Sequence, residues 1–333
     1  MTRSCILFFL LAALAICGCK KEKVVQNEKP DNPKETFPEW VMYNKANSKL
    51  PDDQINAMAI AGNDVKWIGT ANGLVRIKDS SWTVYNTGNS ELPSSFITAL
   101  AVEDNGTVWV GTDQGVAKFD GTAWAVYTTG NSILTDNNIK SIACDARHKV
   151  TWIGTDEGIV KVNSEKQWEY IYLDWVIHSM VTDQNGALWV GAFNDFAFRG
   201  MIRKYENGKW TVYQLHEMGY TSAFPYALAV DKNNAVLAAL AGTVVKAVIR
   251  FNGNSWEEVP RPEKASGLKT MVLEEDKIWV GGNNLSVFGD KGSPSLTIPG
   301  TNSPILSMAL DSRNRKWLGT IYGGLAVYNP AGK

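Results

Sequence analysis

FITALAVEDNGTVWVGTDQGVAKFDGTAWAVY, residues Phe96–Tyr127, reads as four short strands joined by three tight turns. Phe96–Glu103 alternates apolar and polar residues, the period of a half-buried strand. Asp104-Asn105-Gly106 is a turn, because Asn-Gly supplies the positive backbone angles a hairpin needs. Thr107–Thr112, rich in Val and Trp, is a second strand. Asp113-Gln114-Gly115 turns into a third strand at Val116–Phe119, and Asp120-Gly121 into a fourth at Thr122–Tyr127. Short strands, Gly/Asn/Asp turns and no helical period argue an antiparallel all-β chain.

The centre of this unit, Trp109-Val110-Gly111-Thr112, recurs. Copies stand at Trp67-Ile68-Gly69-Thr70, Trp152-Ile153-Gly154-Thr155, Trp189-Val190-Gly191-Ala192, Trp279-Val280-Gly281-Gly282 and Trp317-Leu318-Gly319-Thr320. A worn copy, Leu237-Ala238-Ala239-Leu240, fills the one wide gap, so seven copies recur about every 42 residues. Four strands at that period are the signature of a β-propeller blade. A second tryptophan marks each fourth strand: Trp40, Trp82, Trp124, Trp168, Trp210 and Trp256, with Leu296 in the sixth repeat. Of 13 Trp, only Trp175 is unassigned by the repeat, so the others are expected to fill the wedges between blades.

The expected fold is therefore a seven-bladed β-propeller of four-stranded antiparallel blades over residues 38–333. Trp40-Val41-Met42-Tyr43-Asn44 matches a fourth strand, whereas Gly324–Asn329 matches a third. The N-terminal strand should complete the seventh blade by pairing with Leu325–Tyr328, which removes open sheet edges.

Residues 1–18 read as a signal peptide: Thr2-Arg3 is basic, and Ile6–Ile16 is apolar but too short to span a bilayer. Ile16-Cys17-Gly18-Cys19 resembles the lipobox of bacterial lipoproteins, which implies cleavage before Cys19 and its lipidation. An ordinary signal peptide with an incidental Cys is the alternative. Residues 19–37, rich in Lys, Glu, Asn and Pro, read as a solvated tether. Lys20 after the lipid Cys favours the outer membrane, with the facing side open. Cys144 is the one cysteine in the propeller, so no internal disulfide is expected there; it reads as a small core residue.

The composition narrows the chemistry. There are three His (His148, His178 and His216), none paired at metal-ligand spacing, and no nucleophile elbow, phosphate loop or dinucleotide fingerprint. A net charge of −1 leaves no basic footprint for nucleic acid. Asp-rich turns such as Asp183-Gln184-Asn185-Gly186 lack a calcium loop's length and terminal Glu and read as hairpin turns. No cofactor, no metal and no catalytic residue are expected.

The unit Asp183-x-x-Gly186-x-Leu188-Trp189-Val190-Gly191, with the continuation Trp67-Ile68-Gly69-Thr70-x-x-Gly73-Leu74, closely resembles the two-component regulator propeller repeat. That resemblance, over residues 38–330, implies a periplasmic sensor fold and a ligand-recognition role. In that family such repeats form the sensor part of hybrid histidine kinases, often in gut bacteria that respond to glycans. Here no membrane-spanning helix, kinase or DNA-binding region follows the propeller, so direct signalling across a membrane is not expected of this chain.

Function is to be sought where the repeats differ. The fourth repeat replaces a minimal second-to-third turn by Ala192–Gly200, and a long link follows at Gln214–Tyr226. Antiparallel geometry puts both on one face, side by side. With the link before blade four they bring a set of candidate ligand-binding residues: Trp175, His178, Phe193, Asp195, Phe196, Arg199, His216, Tyr220, Phe224 and Tyr226. Tyr322, in the seventh such turn, is a further candidate on that face. Aromatic faces beside a few polar groups suit a glycan or peptide ligand; rings that merely plug the long loops onto the propeller are the competing reading. Three functions stay open: a non-enzymatic, ligand-binding envelope lipoprotein; a protein–protein scaffold at the envelope; and a lyase of the streptogramin-inactivating kind, which would need a catalytic His and a metal.

Overall fold

In a computed structural model that describes residues 38–172, 175–194, 199–289 and 293–330, the described residues form seven antiparallel four-stranded sheets. Blade two is the pattern: Ile97–Val102, Val108–Thr112, Gly115–Phe119 and Trp124–Tyr127, from channel to rim. Six sheets take their strands in sequence order. The seventh joins Ile305–Leu310, Lys316–Thr320 and Leu325–Tyr328 to the N-terminal Trp40–Tyr43, with Trp40 opposite Tyr328 and Tyr43 opposite Leu325. The expected closure is present. The signal-peptide, tether and lipidation readings at residues 1–37, Cys19 included, lie outside the described residues.

The core consists of seven apolar clusters, and each bridges two neighbouring blades. Trp67, Ile97 and Phe119 belong to one between blades one and two, and Trp317, Ile55 and Leu50 to the one across the closure. The six second-strand tryptophans are at most 5% exposed, whereas the fourth-strand ones are half-buried. Each Trp-x-Gly has a physical reason. A Cβ on Gly111 would stand 2.6 Å from Ile139 Cγ2, the first-strand residue of the next blade, and one on Gly69 would meet Ile97 in the same way. In blades one, two, three, six and seven glycine thus lets the second strand press against an isoleucine at the start of the following blade, and Gly191 of blade four presses instead on the Pro225 carbonyl.

Two further devices recur. An acid two residues beyond the one paired with the Trp accepts its indole N–H: Glu103 from Trp109 at 2.6 Å, Asp183 from Trp189 at 2.9 Å, Glu274 from Trp279 at 2.7 Å and Asp311 from Trp317 at 2.9 Å. The links into blades one, two and three share a Ser-x-Leu ending. Ser48, Ser90 and Ser132 donate to Asn44, Asn86 and Thr128 carbonyls at 2.6 Å, and Leu50, Leu92 and Leu134 are buried.

Candidate functional site

The threonine that ends the repeated motif fastens the upper rim, the face of the second-to-third turns and blade-to-blade links. Thr70, Thr112, Thr155 and Thr320 hydroxyls donate to the carbonyls of Gly73, Gly115, Gly158 and Gly324 at 2.8–3.1 Å. Each also accepts an N–H from within its turn, as from Gln114 at 3.1 Å. Blades four, five and six carry Ala192, Leu240 and Gly282 there instead. Without the fastener, the hairpins of blades four and five run on to Asn194 and Gly242 before turning back at Arg199 and Lys246. The two unusual segments adjoin as expected: the Leu215 N–H donates to the Gly200 carbonyl at 3.2 Å.

A second irregularity sits just inside this rim. In six blades the first strand carries a bulge at its upper end, and the unpaired residues are Asn56, Thr98, Lys140, His178, Tyr226 and Leu306. Lys269 holds the matching place in blade six, directly before Thr270. A bulge re-aims the side chain it carries. These seven residues circle the mouth of the central channel, whose cavity of about 290 Å³ is lined from all seven blades.

Four of the sequence candidates meet in this ring. The His178 imidazole stacks on Phe193 (centroids 4.4 Å apart, 12° between planes) and tilts against Tyr226 at 4.6 Å. Phe224 closes the group, edge-on to Phe193 at 5.2 Å. Lys269 Nζ lies over the Tyr226 ring, 3.4 Å from its centroid. All five are half-buried, so the cluster presents a partly open aromatic wall with a cation at its edge. Burial, with smaller contributions from Lys269 and Lys140, lowers the His178 pKa to about 4. The imidazole is therefore neutral at neutral pH and serves as an aromatic ring.

This has a measurable consequence. An unfolded His protonates near pH 6.5, while folded His178 resists until about 4. The unfolded chain thus binds more protons in that window. Stability should be complete above 6.5 and fall on acidification towards 4, by at most about 1.4 kcal/mol per pH unit from this group. Urea midpoints taken at pH 7 and pH 5 should show a smaller drop for His178→Gln than for the native chain.

The other candidates lie elsewhere. Trp175 does not join the cluster: it packs on the core between blades three and four, with the Arg203 guanidinium 5.7 Å over its ring. Tyr220 turns to the boundary of blades four and five, where its hydroxyl donates to Glu258 at 3.3 Å and burial pushes its pKa up to about 12. Both positions fit rings that anchor long segments. His216 is half-buried in the link, its Nδ1 buried without a hydrogen bond. Arg199 is exposed at the start of its strand. Tyr322 is 78% exposed but stands on blade seven, two blades on from Phe224 and Tyr226. Asp195 and Phe196 lie outside the described residues. Lys140 and Lys269 escaped the sequence reading. Their signal was the residue at the upper end of each first strand, which varies freely among Asn, Thr, Lys, His, Tyr and Leu beside an otherwise repetitive pattern. Cys144 is half-buried, its Sγ 3.7 Å from Thr151 Oγ1.

A family model described as the two component regulator propeller matches residues 91–114. No curated protein matches the sequence. Solved structures share the fold. The extracellular domain of a hybrid two component system from B. thetaiotaomicron superposes with TM-score 0.68 at 15% identity, over 88% of this chain and 40% of that one. Virginiamycin B lyase from Staphylococcus aureus gives TM-score 0.71 at 14% identity, over 86% and 98%. PorZ, a surface component of the type-IX secretion system of Porphyromonas gingivalis, gives 0.64 at 16%, over 84% and 46%. The chain thus spans less than half the length of the first and third of these. It is a seven-bladed propeller in which residues 91–114 match the two component regulator propeller.

Proposed function

We propose that this propeller is a non-enzymatic, sensor-type ligand-binding protein of the bacterial cell envelope, tethered through a lipid on Cys19, and that it takes a glycan or peptide at the channel mouth above blades four to six. One observation carries the reading. The half-open wall of His178, Phe193, Phe224 and Tyr226, flanked by Lys269, lies in the sector where three consecutive blades abandon the fastened turn. Stacking faces beside a few fixed polar groups are what a sugar ring or peptide side chain needs. The similarity to an extracellular sensor domain supports the same role. A proton-transfer role for His178 is disfavoured, since rings flank its imidazole and its basicity is low.

Calorimetry against a panel of glycans and peptides tests this. A ligand should bind the native chain and lose at least about tenfold in affinity, near 1.4 kcal/mol, in Phe193→Ala and Tyr226→Ala, while Trp175→Ala keeps it. Flat titrations throughout, with a stable protein partner in pull-downs, would favour the scaffold reading, which the likeness to a secretion-system surface component supports. Turnover of a streptogramin that EDTA abolishes would instead establish a lyase. Mass spectrometry of the membrane fraction should show the diacylglyceryl mass on Cys19.

A further inference from the structure

A cavity of about 620 Å³ lies on the opposite face from the aromatic cluster, in the groove between blades two and three. It opens at the lower rim, between the turns at Asp104 and Ser164, and none of the candidate ligand-binding residues lines it.

Its origin can be read across one row of blade three. The row Cys144, Thr151, Val162, Trp168 is paired residue by residue across the sheet. The same row in blade two is Val102, Val108, Phe119, Trp124. At Val162's place, four other blades carry Tyr205, Phe251, Phe288 and Tyr328. Where a fourth-strand Trp is also present, that third-strand ring packs on it: Phe119 on Trp124 at 4.5 Å, Tyr205 on Trp210 at 4.9 Å, Phe251 on Trp256 at 5.2 Å, Tyr328 on Trp40 at 4.6 Å. Blade three has the tryptophan without that partner. Trp168 retains Tyr127 at 4.7 Å on one side and faces the cavity on the other, over a floor of Cys144, Thr151 and Val162. Burial pushes the Cys144 thiol up to about 12, so it stays a neutral wall. Blade one, with Ile77, is the other blade that lacks the ring, but the isoleucine side chain is one methylene larger than that of Val162.

We propose that this groove is a second binding site, and that it takes a small planar aromatic molecule of the indole or phenol class. The guest ring stands where a phenyl group stands in five other blades and restores the missing partner of Trp168. Offset or edge-on aromatic packing favours such a ring over an aliphatic one of equal size. The volume is that of a typical small-ligand pocket. The rim carries both signs of charge, with Glu103 bonded to Lys118 at 2.9 Å, so a neutral guest meets no uncompensated charge there.

The test is calorimetric titration of the full chain with indole, phenol and, as a non-aromatic match for phenol, cyclohexanol. Indole and phenol should bind, and cyclohexanol at least about tenfold more weakly. Val162→Phe, which supplies the missing ring from within, should raise the unfolding temperature and weaken indole binding by at least about tenfold. Should that variant not fold, Cys144→Leu fills the same floor and should act alike. Tyr226→Ala, at the other face, should leave indole binding unchanged, which separates this site from the channel mouth. Absence of indole binding at millimolar concentration, equal binding by cyclohexanol and phenol, or undiminished binding in the filled variants would each overturn the proposal.

Discussion

A chain lacking residues 38–48 is expected to melt roughly 10 °C below the full protein. The deletion removes the fourth strand of blade seven and with it the ladder from Trp40–Tyr328 to Tyr43–Leu325. Trp40 packs on Tyr328 at 4.6 Å and Tyr43 on Trp82 at 5.2 Å, so both sides of the closure lose an aromatic contact. The Asn329 N–H also loses the Glu39 carbonyl at 2.7 Å. Four half-buried apolar side chains at about 1–1.5 kcal/mol each amount to roughly 5 kcal/mol. At about 2 °C per kcal/mol for a chain of this size, that gives the stated shift. The effect should exceed that of removing any single side chain in the strand, because the exposed edge of Leu325–Tyr328 also becomes a template for association. Differential scanning calorimetry with light scattering checks both parts. An unchanged midpoint would mean that the ring closes by other contacts.

Lys316→Met should cost about 3–5 kcal/mol, the usual result of breaking a buried ion pair from one side. Lys316 is 1% exposed and reaches from blade seven to Glu274 of blade six at 2.8 Å. Its ammonium also donates to the Asn314 carbonyl at 2.8 Å and sits 4.7 Å over the Trp279 ring. Glu274 in turn holds the Trp279 indole. Methionine preserves the stem and leaves the carboxylate without its cation. The double variant with Glu274→Gln should recover much of the loss, since the stranded charge is then gone. Burial raises the Glu274 pKa, but hydrogen bonds from Lys316 and Trp279 outweigh it and hold the group below its ordinary 4.5. The pair's contribution is thus intact above that value and fades as pH falls through the lower folded one. Chemical denaturation of the single and double variants at pH 7 and pH 4 separates these contributions.

The fold was legible because it rests on a motif that six of the seven blades repeat. Trp-x-Gly fixes the register, and its glycine is obligatory where Ile139 or Ile97 presses in. The closure was legible for the same reason, as an orphan fourth strand at Trp40. The candidate site was legible only in part. Loop length pointed to blade four, and His178, Phe193, Phe224 and Tyr226 do converge there. Trp175 misled, because a tryptophan surplus to the repeat still found a core to pack on. Lys269 was missed because loop length was the guide, and the second-to-third turn of its blade, between Gly281 and Leu285, is short. The cavity beside Trp168 was hidden in a different way. It is made by small residues at positions that look merely conservative, Val162 and Thr151, and no single one of them departs from strand chemistry.

The bulged residues around the channel mouth have a bearing on how such a protein changes over generations. A side chain at a bulge opposes nothing across the ladder, so its identity is released from the pairing rules that bind its neighbours. Six such places, with Lys269 at the matching position of blade six, stand on one circle, each in a different blade, each open to substitution by itself. Asparagine, threonine, lysine, histidine, tyrosine and leucine already occupy them in this one chain. The number of distinct surfaces the mouth can present grows as a product over seven positions, while the scaffold beneath is left alone. The chemistry of the mouth and the stability of the scaffold are thereby separable, and the surface there can change without first weakening the fold.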